Sequence, residues 1–489
     1  MVRTIAEFLA TLAIYIAVGT AIALVSRRFG VKTSSEYFVA GYRLGGFLSS
    51  MTYAATTYSA FMMIGLVGFA YATGVGALGF ELAYLLATLA LLTVLAPRVW
   101  LMARERGWVS PTEMLSDLYG INALGHLVAV LYLVALIPYI SAQMIGVGSI
   151  FEGLGAGFGT GIAVAAALSL TWVVVAGVWS VASTDAYQGL WMITAALTYV
   201  LWVTLFLVPS AGLDIGGVAK AITKAGVSGL GGFWTPTTFA AFTVPWLFFA
   251  VTNPQVVQRV FMPANERSLK RLIQYFAIYA ITYTLIVTLV GLTARALTEV
   301  GVLGYISNRD LVTPTLLLTA HPALASFIYV SIVAAAISTS NSIVLSVTSS
   351  FVRDLYERRA REVRPRRSIT LANSVVASLV ATSAVVAFLR PGFVVEMSVL
   401  SSVILLPLAP VTIAGWVSGG VKGVARYSSL VAVVVGVSTA LYSAAAYGPK
   451  KAFITTWFGV PISVWVLALS TLIVVAGLLL SRVKPHVGR

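Results

Sequence analysis

The sequence predicts an all-α polytopic membrane protein, and three observations carry that reading. Of its 489 residues, 59% are apolar and only 10% are charged, whereas soluble domains run near half apolar and about a quarter charged. Mean hydropathy is +0.96. Apolar runs long enough to cross a bilayer recur from Ile5 to Leu480. A soluble enzyme of this length needs a charged surface that 31 Lys and Arg with 16 Asp and Glu do not supply. The same figures exclude a disordered chain. The expectation is one integrated bundle without a sizeable soluble domain.

A crossing helix needs about 20 mostly apolar residues. On that length, thirteen spans fall at residues 5–25, 45–72, 78–97, 122–150, 160–179, 186–208, 238–256, 272–294, 323–350, 369–389, 393–418, 428–447 and 458–481. The first is read as a retained span and not a leader. Ser26-Arg-Arg follows it where a small-residue cleavage site would stand. Gly and Pro inside these runs are compatible with helices, because neighbouring helices satisfy the freed backbone groups.

The net charge is +15 and the isoelectric point is near 10. In a soluble protein that balance suggests nucleic acid; here the basic residues sit in short loops between spans, so they set topology. With the N-terminus outside, 23 of the 31 Lys and Arg fall on inward loops, Arg259 among them. That asymmetry predicts a multi-pass protein of the cell membrane with a cytoplasmic C-terminus. The longest basic loop, Arg353 to Arg367, reads as a stop signal or as a binding strip for anionic lipid headgroups. Cysteine is absent and the three His are scattered, which excludes disulfides, thiolate sites and a His cluster.

Polar chemistry inside spans locates candidate sites. The second span, Met51 to Gly68, is dense in hydroxyls and Ala. The seventh carries Pro245 and Thr252-Asn-Pro254, and Pro disrupts the turn before it. These spans are five apart, as in a five-helix unit used twice, and interrupted helices at matching places point to a transport site. Small residues that merely permit close helix packing are the competing explanation.

The ninth span contains Ala334-Ala-Ala-Ile-Ser-Thr-Ser-Asn-Ser342. Hydroxyl and carbonyl oxygens suit a hard cation, and a neutral set suits a monovalent one. Hydroxyls bonding back to carbonyls one turn earlier are the alternative. Acids inside or near spans are few: Glu81, Glu152, Asp185 and Glu396. Glu152 is expected at the outer boundary. Asp185 is expected to begin a span at the inner face, where a helix cap competes with a functional role.

Several of these segments are family motifs. Glu36-Tyr-Phe-Val-Ala-Gly-Tyr-Arg-Leu-Gly45, Thr184-Asp-Ala-Tyr-Gln-Gly189, Asn253-Pro-Gln-Val-Val-Gln-Arg259 and the run Ala334 to Tyr356 together resemble the sodium:solute symporter family over residues 34–426. The resemblance implies a leucine transporter-like core of five plus five inverted-repeat helices in spans two to eleven. It divides the chain into a first helix and opening loop (1–44), two five-helix repeats (45–208 and 238–418) and two peripheral helices (428–489). It implies Na+ as coupling ion, held by the carbonyls of Ala55, Tyr58 and Ala335 and the hydroxyls of Ser338 and Thr339. Asp185 falls on an inner-gate acid that assists sodium release. One departure is Thr57, where proline-carrying members have Asp.

For the solute, the resemblance implies Ser59, Tyr139 and Trp246 at positions used by proline-carrying members, and Glu81 at a glutamate that bonds hydroxyls in sugar-carrying ones. Met62 replaces a polar sugar contact and Phe249 a gating Tyr, so the pocket reads as apolar and aromatic. The implied function is sodium-coupled symport of a small amino acid such as proline, or a small monocarboxylate, into the cell by alternating access. The partners are that solute, sodium and the lipid bilayer, with no nucleic acid and no obligate protein partner. Proton coupling through Asp185 or Glu81 is the alternative, and a channel or sensor a lesser one. No HExxH, Gly-x-Ser-x-Gly or Walker-type loop is present, so neither a hydrolase nor an ATP-driven pump is expected.

Overall fold

The computed structural model describes residues 2–26, 34–229, 232–357 and 365–483. Among the described residues, ten helices are long and apolar enough to cross a membrane. Two further spans are bent pairs: Gly46–Thr57 with Phe61–Thr73, at 48°, and Val394–Leu405 with Leu408–Ser418, at 53°. With the first part of the helix Phe158–Trp202, which also carries the sixth span, these fall on the thirteen expected spans. Residues 358–364 of the expected basic loop lie outside the described residues; Arg353, at its start, pairs with Glu113 at 3.4 Å.

Burial sorts the spans. In the ninth, Pro322–Asp354, 83% of the most apolar window is buried, and in the seventh, Pro236–Phe261, 78%. The first and tenth bury only 28%. The small and hydroxyl residues of the ninth span let the first, second, fourth, seventh and tenth spans and the helix Phe158–Trp202 approach it. Polar helix ends are capped locally. Ser110, Thr235 and Asn265 each accept from the backbone N–H three residues on, and Pro111 and Pro236 take the first helical position.

The second span breaks at Tyr58, which adopts an extended conformation (φ −92°, ψ 114°), and resumes as a wide turn at Phe61–Leu66. Glycine explains how close the neighbours come. A side chain on Gly146 would collide with the Ala60 methyl at the break, and one on Gly68 would collide with the Arg309 carbonyl.

Three expectations are corrected. The fifth and sixth spans lie on one continuous helix, Phe158–Trp202, so Asp185 lies well inside a helix and caps nothing. Arg259 is not a loop charge: it sits within Pro254–Phe261 at 1% exposure. The last span begins at Ile462, because Phe458 (φ 52°) and Gly459 (φ 76°) turn a small hairpin that pairs Thr456–Trp457 with Val460–Pro461.

Candidate ion and solute site

The break in the second span removes partners from the carbonyls that precede it, and the ninth span supplies hydroxyls to meet them. Ser338 Oγ lies 2.7 Å from the Ala55 carbonyl and 3.0 Å from the Ala335 carbonyl, which share its one proton. Thr339 Oγ1 lies 3.3 Å from the carbonyls of both Ala55 and Thr56. Ser338 and Thr339 therefore bridge two helices, while Ser338 also bonds back along its own. Among the described hydrogen bonds, the Tyr58 carbonyl meets neither hydroxyl; Thr56, which the sequence did not single out, stands in that place. Both hydroxyls are fully buried.

This donor set fits a monovalent hard cation. It is all oxygen, it carries no formal charge, and it comes from two helices. Neighbouring ligands around a cation of calcium's size stand about 3.3–3.7 Å apart, slightly wider than the 2.7–3.3 Å found here.

Below this group lies a polar chain. Thr56 Oγ1 is 2.9 Å from Ser342 Oγ. Arg259 Nη2 donates to Ser342 Oγ at 2.6 Å and lies 3.6 Å from Asp185. Asp185 also accepts from Thr52 Oγ1 at 2.6 Å. The chain ties four spans together: the second, sixth, seventh and ninth. Arg259 and Ser342 were missed as functional residues. Their signal was an Arg closing the Asn253-Pro-Gln motif and the fifth polar residue of the Ser338–Ser342 run.

On the other side of the break lies an aromatic box. Trp246 stacks on Phe249 with ring centres 5.3 Å apart, and Tyr139 meets Phe249 edge-on at 6.1 Å. Phe61 and Tyr84, which the sequence reading omitted, complete the box at 4.9 and 5.2 Å from Trp246. Ser59 accepts from the Phe61 N–H and so caps the second half of the broken helix. Gln143 accepts from the Ala60 N–H at 3.0 Å, satisfying another orphan donor. Met62 is buried next to Phe61, and Glu81 is buried on the third span with Oε2 unpartnered.

The box is shut from both ends. Toward the Arg390 side, Arg309 pairs with Glu396, and its guanidinium lies 4.7 Å from the rings of Phe69 and Phe393. Asp310 accepts from the Val394 N–H, and Thr313 donates to the Met63 carbonyl. Arg390 itself pairs with Glu152 at the rim, each one-third exposed. Toward the opposite end stands the Asp185–Arg259 pair. The arrangement is an occluded one, with breaks in the helices where a ligand would sit.

Comparison with known proteins agrees with this geometry. The chain is 24% identical to the sodium/pantothenate symporter of Haemophilus influenzae over 371 residues, 73% of each chain. It is 24% identical to the high-affinity proline transporter PutP of Bacillus subtilis over 376 residues, 71% of this chain and 75% of that one. Among solved structures, a Na+-coupled sialic acid symporter superposes with a TM-score of 0.78 at 20% identity, covering 99% of this chain and 98% of the other. Mhp1, a nucleobase-cation-symport-1 family transporter, gives 0.53 at 14% identity, covering 94% and 98%. These likenesses place the fold among leucine transporter-like symporters. The description "Sodium:solute symporter family" matches residues 37–417, so the chain belongs to that family, membrane transporters whose coupling ion is sodium.

Proposed function

We propose that this chain imports a small organic solute, an amino acid such as proline or a small monocarboxylate, together with Na+ across the cell membrane. The observation that carries the reading is the meeting of Ser338 and Thr339 with the Ala55 carbonyl at the broken helix. Sodium is assigned to the oxygens of Ala55, Ala335, Ser338 and Thr339, with Tyr58 or Thr56 adding a carbonyl. The solute is assigned to the adjoining box of Tyr139, Trp246 and Phe249, with Ser59, Met62 and Glu81 at its margin. The charge asymmetry of the loops supports an outer N-terminus and a cytoplasmic C-terminus.

The mechanism follows from where the ion sits. With the Arg309–Glu396 side open, sodium joins the carbonyls of the second span to the hydroxyls of the ninth. That draws the broken helix into the position the solute box needs. Each ligand stabilises the closed state, so each raises the other's affinity by the same factor; tenfold corresponds to about 1.4 kcal/mol. One charge moving down 100 mV contributes about 2.3 kcal/mol toward import. On the inner side, Asp185 stands one polar chain away from the cage and attracts the departing ion as its contact with Arg259 loosens.

The test is sodium-gradient uptake in proteoliposomes with a panel of proline, short monocarboxylates, pantothenate and sugars. Sodium-dependent, saturable uptake of one small solute supports the reading. Purified folded protein that retains no sodium defeats it.

A further inference from the structure

The solute box contains an acid with nothing to balance it. Glu81 is 1% exposed, and among the described residues its Oε2 has no hydrogen-bond partner and no charged neighbour offsets its burial. A carboxylate held this way is costly unless a cation joins it. In the same region the Tyr84 hydroxyl and the Trp246 Nε1 are also unsatisfied, while Ser59 and Thr284 are the neighbours within reach of the Tyr139 and Tyr58 hydroxyls. Tyr58, Tyr84 and Tyr139 are all electrostatic neighbours of Glu81. Tyr84 meets Trp246 and Phe249 edge-on, at 5.2 and 5.7 Å. So many orphaned polar atoms in one buried place call for an absent partner.

The sign of that partner follows from the surrounding charges. Among the described residues, the two buried arginines of the core are already committed: Arg259 to Asp185 and Arg309 to Glu396. No basic side chain is left at the box for a solute carboxylate, whereas one acid and several aromatic faces are left for a positive group. Aromatic faces attract ammonium groups, and more strongly once water is excluded.

We propose that the solute carries a protonated nitrogen, which Glu81 binds, while Trp246, Phe249 and Tyr84 enclose the carbon skeleton beside it. The substrate class is thereby an amine-bearing one, such as an α-amino or imino acid, and not a plain monocarboxylate. If the solute also has a carboxylate, that group faces the sodium cage, the one other place in the site that presents positive charge. This assignment rests on the solute box and sodium cage proposed above.

The experiment compares matched probes on the full-length protein in detergent or proteoliposomes with sodium present. Proline and cyclopentanecarboxylate share a ring and a carboxylate and differ in the nitrogen; pyruvate serves as a second nitrogen-free acid. Thermal stabilisation and competition for sodium-dependent binding are read for each. We expect proline or another amine in the set to bind at least about tenfold more tightly than the nitrogen-free acids, the size of a charge-assisted hydrogen bond. Glu81→Gln should remove most of that preference, with sodium retention unchanged. Equal or better binding of the nitrogen-free acids, or binding of no amine by protein that holds sodium, overturns the proposal. The wild-type comparison needs no variant, so misfolding of Glu81→Gln leaves the test intact. Loss of sodium retention in the wild type is a different failure, that of the ion cage.

Discussion

Asp185 and Arg259 face each other at 3.6 Å in the interior of the bundle, each only 1% exposed. They belong to the sixth and seventh spans, and Thr52 and Ser342 bind them to the second and ninth. A paired charge at this depth is tolerated; a lone one is not. The pair thus joins the sixth and seventh spans at one end of the aromatic box; in the proposed function it is a clasp on the solute path. Opening that end requires each member to find water or a new partner.

Removing one member should therefore harm more than removing both. We expect Asp185→Asn to cost about 3–5 kcal/mol, since it strands Arg259. The double change to Asp185→Asn with Arg259→Gln should recover a large part of that loss. A double-mutant cycle on thermal or denaturant unfolding in detergent measures it. Additive losses would show that the two side chains are not coupled.

The cage makes a sharper functional claim. Ser338→Ala with Thr339→Ala should abolish sodium-driven uptake and sodium retention. Stability should fall by only about 1 kcal/mol for each hydrogen bond removed. Uptake that keeps its normal sodium dependence contradicts the assignment of these two hydroxyls.

Truncating the box should separate solute from ion. Tyr139→Ala or Trp246→Ala should raise the half-saturation concentration for solute more than that for sodium. Trp246 touches Phe249, Phe61 and Tyr84, so its loss should be the larger. Equal effects on both half-saturations point to general damage to the bundle and count against the box.

The opposite end can be forced open. Gly68 packs on the Arg309 backbone so closely that a methyl group has no room, and Arg309 holds Glu396. Gly68→Ala or Glu396→Gln should favour the form open on the Arg309 side. Because the chain contains no cysteine, a single Met62→Cys reports this directly. Maleimide labelling from the Arg309 side should accelerate several-fold in both variants. Unchanged labelling would mean that this contact does not hold the closed form together.

Much of the site was legible because some physical signals are local. Two adjacent hydroxyls in a run of Ala, deep in an apolar span, are conspicuous whatever the fold, and Ser338 and Thr339 were found that way. The aromatic residues Tyr139, Trp246 and Phe249 came from family positions, and the structure brings all three into one box. Asp185 was expected in a different setting: at the start of a span it would cap a helix, whereas its partners are Thr52 and Arg259. Arg259 was counted with the loop charges, because an arginine near the end of an apolar run usually faces water. The carbonyls were the least visible. Every residue has one, and only the break at Tyr58 decides which are free.

Sequence alone determined the class of molecule, the order of its apolar segments, and the hydroxyl pair of the ninth span. All of these depend on hydropathy, charge and composition summed over stretches of about 20 residues, which a chain carries before it folds. Tertiary structure decided which carbonyls the hydroxyls meet, which acid answers which arginine, that Glu81 has no such answer, and that both ends are shut. These are pairings between groups 133 or 283 residues apart. They exist only when helices pack closely enough to exclude water, and the cost of a buried group without a partner then selects one arrangement.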